Sequence, residues 1–407
     1  MPLAYYVACL FTGLVMSLTF NNASASELVK ISKHQSKVRI ATFNVSMEAL
    51  NYIDYQRGKK PKLTGKELQH ALQNGHQQIK NIAEIIQRVN PDILLLNEFD
   101  FTDDQGKNIQ LFINDFLAKS QQGQTAIQFN YFFQHPVNTG VLAKNDLNGD
   151  NKITLPDDTY GFGYFPGHFG MALLSKFPID NKNIRTFQHF KWKDMPGALK
   201  PVLPKTNMPF YSAPAWQDFR LSSKSHWDIP VIINEQPVHI LASHPTPPVF
   251  DGAENRNGRR NHDEIRFWLD YISVNNDYIY DDNNKYGGLQ DNAPFVIMGD
   301  LNASNTEGDA INSVMTQLLS HVNVQDHLPE SLGSILHSPD NKVAKYHTAH
   351  WRMRADYILP SNNGWLITDS GVFWPTEEQP EHRLINSRKA SSDHRIVWLD
   401  LKLTKQP

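Results

Sequence analysis

The chain has 407 residues, with 39 Lys and Arg against 42 Asp and Glu, a formal net charge of −3. This length supports a substantial hydrophobic core in one large or two medium domains, and the balanced charge argues against a broad basic face that wraps nucleic acid, though not against a local basic cleft. Its 14 Tyr, 8 Trp and many Asn exclude a fibrous or disordered chain and describe a folded enzyme or binding protein.

The amino terminus reads as an export signal. Residues 5–20 are almost wholly apolar, and Ala23, Ser24 and Ala25 supply small side chains where a signal peptidase cuts, so residues 1–25 are expected to be removed. No Lys or Arg precedes the apolar run, which is atypical. The run is shorter than the roughly 20 residues that span a bilayer, so no stable membrane anchor is expected after cleavage. A secreted or periplasmic location follows. The single cysteine, Cys9, lies inside this segment, leaving a mature chain without disulfides.

The elements that follow predict an α/β fold. Residues 38–45, V-R-I-A-T-F-N-V, read as a strand entering a core, and 51–66 as an exposed loop. Residues 68–89 show helical spacing, with Ile79, Ile82, Ile85, Ile86 and Val89 on one face; Asn90-Pro91 ends the helix. Residues 92–98, D-I-L-L-L-N-E, form a buried strand that delivers Glu98 at its carboxyl end. Short strands are expected at 171–174, 231–233 and 238–242, a helix at 265–272, and further strands at 295–298, 355–359 and 395–403. The stretches 146–168, 191–226, 275–293 and 330–350 are long insertions, and loops of such length are more often functional than idle. No repeat or clean linker divides the chain, so residues 26–407 read as one decorated domain.

Several polar residues stand where these strands end. In F-V-I-M-G-D-L-N, residues 295–302, Asp300 and Asn302 lie at the end of a buried strand, where α/β folds place ligand chemistry. A strand followed by a polar turn reads the same way. Asn44 sits on an apolar strand and equally fills a buried turn. Glu98 follows three leucines and an Asn, and a carboxylate buried there needs a cation or hydrogen-bond partners, which makes it a metal-ligand candidate. His244 ends a strand before a Pro-rich turn and either caps it or acts in a site. Asp356, in R-A-D-Y-I-L, is an acid suited to fix a histidine tautomer; the partner expected is His394 in S-S-D-H-R-I, with Asp393 beside it.

Taken in order, T-F-N-V at Asn44, L-N-E at Glu98, S-H-P at His244, G-D-L-N at 299–302, R-A-D-Y-I-L at Asp356 and S-D-H at 392–394 resemble the motifs of the endonuclease/exonuclease/phosphatase superfamily. The resemblance spans about residues 36–403, with the insertions between motifs. It implies the DNase I-like fold, a four-layer sandwich of two mixed β-sheets flanked by helices. It also implies Mg2+- or Mn2+-dependent hydrolysis of a phosphate ester. Glu98 would be the principal metal ligand, supported by Asn44 and Asp393. Asp300 would orient or deprotonate water, Asn302 would hold the phosphate or nucleophile, and the Asp356 and His394 pair would contact the phosphate. His244 would add a second donor. Hard oxygen ligands suit magnesium, which keeps several waters and needs few carboxylates. A thiolate zinc site is excluded by cysteine count. A phosphodiester or phosphomonoester of unassigned identity is the expected substrate, with DNA or RNA the alternative and a non-catalytic binding member a third reading. A monomer is expected.

Two further patterns stand apart from these motifs. Asp146, Asn148, Asp150, Thr154 and Asp157 approximate the oxygen spacing of a structural calcium loop, with Asn151 replacing the usual Gly and Asp157 the usual Glu. An Asn- and Asp-rich surface loop reads alike. Arg256 and Arg260, in R-N-G-R-R-N-H before a helix, are candidate substrate contacts or simply a solvated helix entry. Many relatives carry an arginine ahead of the His-bearing strand, and neither Arg220, Lys224 nor His226 matches it unambiguously. Trp192, Trp216, Trp227, Trp351 and Trp374 are candidates to line a cleft or to pin loops to the body.

Overall fold

The computed structural model describes residues 37–404, apart from 56–58, 103–104, 275 and 291. The predicted export signal and Cys9 lie outside the described residues.

In chain order the main elements are β1 (Lys37–Met47), α1 (Glu67–Gln73), α2 (Gln77–Val89), β2 (Ile93–Phe99), α3 (Lys107–Phe112), β3 (Tyr131–Phe133), β4 (Met171–Ser175) and β5 (Arg185–Thr186). They continue with α4 (Ala213–Asp218), β6 (His226–Ile233), β7 (Gln236–Ser243), α5 (Arg256–Tyr271), β8 (Phe295–Asp300), α6 (Ser313–Leu319), α7 (Leu332–His337), β9 (Asp356–Pro360), β10 (Trp365–Val372) and β11 (Val397–Leu403). One sheet has six strands in the order β10-β11-β1-β2-β4-β3, the other five in the order β5-β6-β7-β8-β9. Within them β1 and β2 run parallel, as do β7 and β8, and the other paired neighbours are antiparallel. Both sheets are therefore mixed, as the resemblance implies.

Side-chain alternation assembles the layers. On β8, Val296 and Met298 join the core shared by the two sheets, together with Ile240 of β7 and Leu95 of β2; Phe295 and Ile297 point the other way, onto Ile265 and Trp268 of α5 and Met315 of α6. The apolar face of α2 covers the outside of the six-stranded sheet in the same manner. Gly299 is where β8 closes most tightly on its neighbour β7. Its φ of +145° is open mainly to glycine, and an added Cβ would lie 2.0 Å from the Ser243 carbonyl oxygen.

Two predicted helices differ in the structure. The single helix expected over 68–89 is two, because Gly75 (φ +63°) breaks it and His76 opens the second by accepting the Gln78 N–H. The helix expected at 265–272 begins nine residues earlier, at Arg256. Its first turns bury polar side chains, including Arg260, Asn261, Asp263 and Glu264, under surrounding loops, and so lack the apolar periodicity by which a helix is read.

Parallel pairing of β1 with β2 and of β7 with β8 brings four carboxyl ends to one edge of the sandwich. Asn44 and Asn97 are register partners across β1 and β2, and Asp300 and Asp356 are partners across β8 and β9.

Candidate functional site

Asp300 Oδ2 is the meeting point of the site. It accepts a hydrogen bond from Asn44 Nδ2 at 3.0 Å, and the Nε2 atoms of His244 and His394 each lie 3.4 Å from it. Its other oxygen accepts the Asn302 N–H, while its own N–H donates to Asn97 Oδ1 across the sheet interface. Burial raises the Asp300 pKa to about 7, with His394 opposing and Asp356 reinforcing.

His394 is fixed from its other side. Its Nδ1 is 2.9 Å from Asp356 Oδ2, which also accepts the Thr348 hydroxyl at 2.7 Å. Burial disfavours the imidazolium, yet Asp356 and Asp300 together hold the His394 pKa up to about 10. His244 goes the opposite way: burial, then Lys224 and His394, push it well below its ordinary value, so it is neutral. The site therefore pairs a charged histidine with an uncharged one.

Ser392 sets the approach of the chain to this cluster, donating to the Asn44 carbonyl at 2.7 Å and accepting the His394 N–H. Ser46 Oγ reaches Asp393 Oδ1. Two residues of this corner, Ser46 (φ 46°) and Glu98 (φ 55°), adopt the left-handed conformation that residues other than Gly, Asn and Asp rarely take, and Asn302 (φ 52°) adopts it at little cost. Such strain clusters at functional sites because surrounding structure must enforce it.

The residues present fit a divalent cation. Asp300, Asp356 and His394 offer ligand atoms within 4.8 Å of one another, and Asp356 Oδ1 is buried with no hydrogen-bond partner among the described residues. Glu98, at the end of β2, is only partly buried, and among the described residues its carboxylate has no hydrogen bond or ion pair. Burial raises its pKa, Arg388 lowers it, and Asp393 and Glu48 raise it further. These acidic oxygens are hard donors of the kind magnesium and manganese take. Asn44, by contrast, commits its oxygen to the Ser46 N–H and its amide nitrogen to Asp300, so in this arrangement it orients the acid.

A cavity of about 850 Å3 opens over this cluster, lined by Glu98, Asp300, Asn302, Asp393 and His394 at its polar end and by segments of the 146–168 and 191–226 insertions elsewhere. Lys224 is the basic residue ahead of the His-bearing strand that reaches it: the side chain is buried on the cavity wall, and burial lowers its pKa while Glu264, Glu98 and Asp300 raise it. Arg220 instead bonds Asn138, and His226 bonds Ser222 and the Glu264 carbonyl.

Arg256 and Arg260 both line the cavity but differ in what holds them. Arg260 is buried and donates to the carbonyls of Leu221, Tyr160 and Arg220, making it a brace between loops; Arg256 pairs with Glu254 and lies over the Phe210 ring. Of the five tryptophans, Trp351 lines the cavity, its ring edge-on to His394 at 4.6 Å. Trp192 and Trp374 are buried and Trp216 packs on Trp192, so these three pin loops to the body, whereas Trp227 is a core residue of β6.

In the acidic loop Asp146, Asp150 and Asp158 converge, in place of the expected Asp157. Asp158 is fully buried and accepts the N–H groups of Leu147 and Thr154, whereas Asp157 turns to the cavity. Asn148 also lines the cavity, with its side-chain oxygen accepting the Asp150 N–H, and Thr154 enters through its backbone.

Asn97 and Thr348 carry roles that the sequence does not single out. Asn97 lies inside the L-N-E motif, and its position between Leu96 and Glu98 on a buried strand was the available signal.

The sequence profile of the Endonuclease/Exonuclease/phosphatase family matches residues 41–394, and the chain belongs to this family. Together, the family and the acid and histidine cluster define a metal-dependent phosphoesterase. Similar solved structures include an endonuclease/exonuclease/phosphatase from Beutenbergia cavernae (15% identity, 91% of this chain and 72% of that one, TM-score 0.49). The human Nocturnin catalytic domain with bound sulfate is another (15% identity, 92% and 96%, TM-score 0.45), as is beta toxin from Staphylococcus aureus with bound magnesium ions (14% identity, 91% and 100%, TM-score 0.41). Comparison with curated proteins gives no match.

Proposed function

We propose that this protein is an exported, Mg2+- or Mn2+-dependent hydrolase of a small or medium phosphate ester, diester or monoester. The observation that carries this reading is the cavity that joins the Asp300 cluster to walls contributed by two insertions, a shape suited to a compact ester. Asp300 takes a proton from the attacking water or orients it. Asn302 and Lys224 hold phosphoryl oxygens, and charged His394, kept in place by Asp356, stabilises the negative charge that develops there. Neutral His244 adds a further contact. A divalent metal, held by Glu98 and Asp393 beside the Asp300, Asp356 and His394 cluster, supplies additional charge neutralisation.

The test is turnover of activated phosphodiesters and monoesters, DNA and RNA by protein lacking residues 1–25. Turnover of a small ester that needs Mg2+ or Mn2+, stops with chelator and nearly vanishes in Asp300→Ala and His394→Ala is expected. Undiminished turnover in both variants would sink the mechanism. Preference for DNA or RNA would assign a nuclease, and no turnover of any substrate would favour a binding protein. Finding the protein retained in the cytoplasm, with residues 1–25 intact, would overturn export.

A second cation, calcium, is proposed at Asp146, Asp150 and Asp158, whose carboxylate oxygens converge. Calcium should raise the melting temperature and Asp158→Asn should abolish the rise, whereas Asp157→Asn should keep it. No shift in the wild type removes this site.

A further inference from the structure

The catalytic cluster occupies one end of a cavity far larger than a phosphate group. The remaining wall is mostly apolar and is built from parts held rigid. Tyr211 and Phe219, both in the 191–226 insertion, stack with ring centroids 4.8 Å apart and planes 26° apart. Phe219 is fixed in turn by Trp192 on one side and by the Arg260 guanidinium, 4.7 Å from its ring centre. Burial pushes the Tyr211 phenol up to about 12, so it remains uncharged.

Facing the same space is the loop after β7, which carries Pro247, Pro248 and Phe250. Two prolines stiffen it, and α5 fastens it. Glu264 accepts the Thr246 N–H, Asn261 donates to the Thr246 carbonyl, and Asn257 donates to the Val249 carbonyl. Phe250 then departs from ordinary economy in two respects: its φ is +65°, and its side chain is 84% exposed. A bulky apolar side chain held in a left-handed backbone and left in water is disfavoured on both counts, and it gains back free energy only when something apolar covers it.

We infer that the cavity contains an apolar subsite, formed by Tyr211, Phe219, Pro247, Pro248 and Phe250, which takes a hydrophobic substituent carried on the substrate's phosphate. The inference rests on the phosphoesterase reading for the place of the phosphate, but the subsite is a matter of binding and is tested without turnover. An aliphatic chain and a planar ring share the required chemistry.

The experiment is calorimetric binding of methyl-, butyl-, octyl- and phenylphosphonate to the wild type in Mg2+. Burying three further methylenes should tighten binding of butyl over methyl by about tenfold, allowing for partial burial. A continued gain at octyl identifies a chain as the natural substituent, and a preference for phenyl over both identifies a ring. In Phe250→Ser, whose position on the surface spares the fold, the butyl-to-methyl ratio should fall below about threefold. Equal affinities across the series, or no binding by any member, overturn the subsite, and an undiminished ratio in Phe250→Ser overturns the place of Phe250 in it. Loss of esterase turnover with the phosphonate series intact would instead count against the catalytic reading alone.

Discussion

His394 stands between two carboxylates, its Nδ1 2.9 Å from Asp356 Oδ2 and its Nε2 3.4 Å from Asp300 Oδ2. Burial opposes its charge, and these two acids outweigh burial, so the imidazolium persists until the pH rises through about 10. Asp356→Asn removes the stronger of the two supports and lowers the pKa of His394. The expected result is a fall in kcat of about 100-fold or more, with the alkaline limb of the pH profile moving down by about one unit or more. A variant slowed at every pH, with its alkaline limb in place, would show that Asp356 acts other than through the charge of His394.

Glu98 presents its carboxylate to the cavity from a strained backbone position, without a hydrogen bond or ion pair among the described residues. Glu98→Gln keeps the shape and removes the charge. The Mg2+ concentration for half-maximal activity should rise about 10- to 100-fold, read by metal titration of turnover and by metal-induced thermal shift. An unchanged titration would remove Glu98 from the ligands and leave the cation to the carboxylates of Asp300, Asp356 and Asp393.

The two arginines at the start of α5 should separate cleanly. Arg260→Ala leaves the carbonyls of Leu221, Tyr160 and Arg220 without their donor and is expected to cost about 3 kcal/mol of stability in urea unfolding. Arg256→Ala loses an ion pair with Glu254 near the surface, and should change stability by no more than about 0.5 kcal/mol while raising KM. Equal destabilisation by the two would contradict their different surroundings.

His226 makes folding sensitive to acid. Its ring lies between the Ser222 hydroxyl and the Glu264 carbonyl, so Nε2 donates and Nδ1 accepts, and burial pushes its pKa down to about 3. The unfolded chain takes up this proton near pH 6.5 and the folded chain only near 3. The stabilising difference is complete above 6.5 and is lost as pH falls towards 3, amounting to about 2 kcal/mol by pH 5. Between pH 7.5 and 5 the wild type should therefore lose about 2 kcal/mol more than His226→Gln. Parallel losses would exclude His226 as the cause.

Strand ends were the legible part of the sequence. Apolar runs at 92–98 and 295–302 announced both the strands and the residues they deliver, because a carboxylate at the end of a buried strand is costly unless a cation or a hydrogen-bond donor meets it. Residues acting from irregular backbone were not legible. Thr348 lies in an insertion with no periodicity, yet its hydroxyl accepts the N–H groups of Ala355 and Asp356 and donates to the Asp356 carboxylate. Lys224 is one of three basic candidates within seven residues, and only its place on the cavity wall separates it from Arg220 and His226. Asp158, one residue beyond the spacing read in the sequence, converges with Asp146 and Asp150, and its carboxylate accepts the Leu147 and Thr154 N–H groups.

The hydrogen bond from Ser392 to Asn44 joins positions separated by 348 residues. β11, which follows Ser392, pairs between β10 and β1. Until this last strand has been made and inserted beside the first, His394 is absent from Asp300 and β1 lacks one of its two neighbours. The acid and the histidine that meet in the site thus depend on one pairing between the two strands of the sheet most distant in sequence, and a chain cut before Ser392 would hold Asn44 and Asp300 without the imidazole that links Asp300 to Asp356.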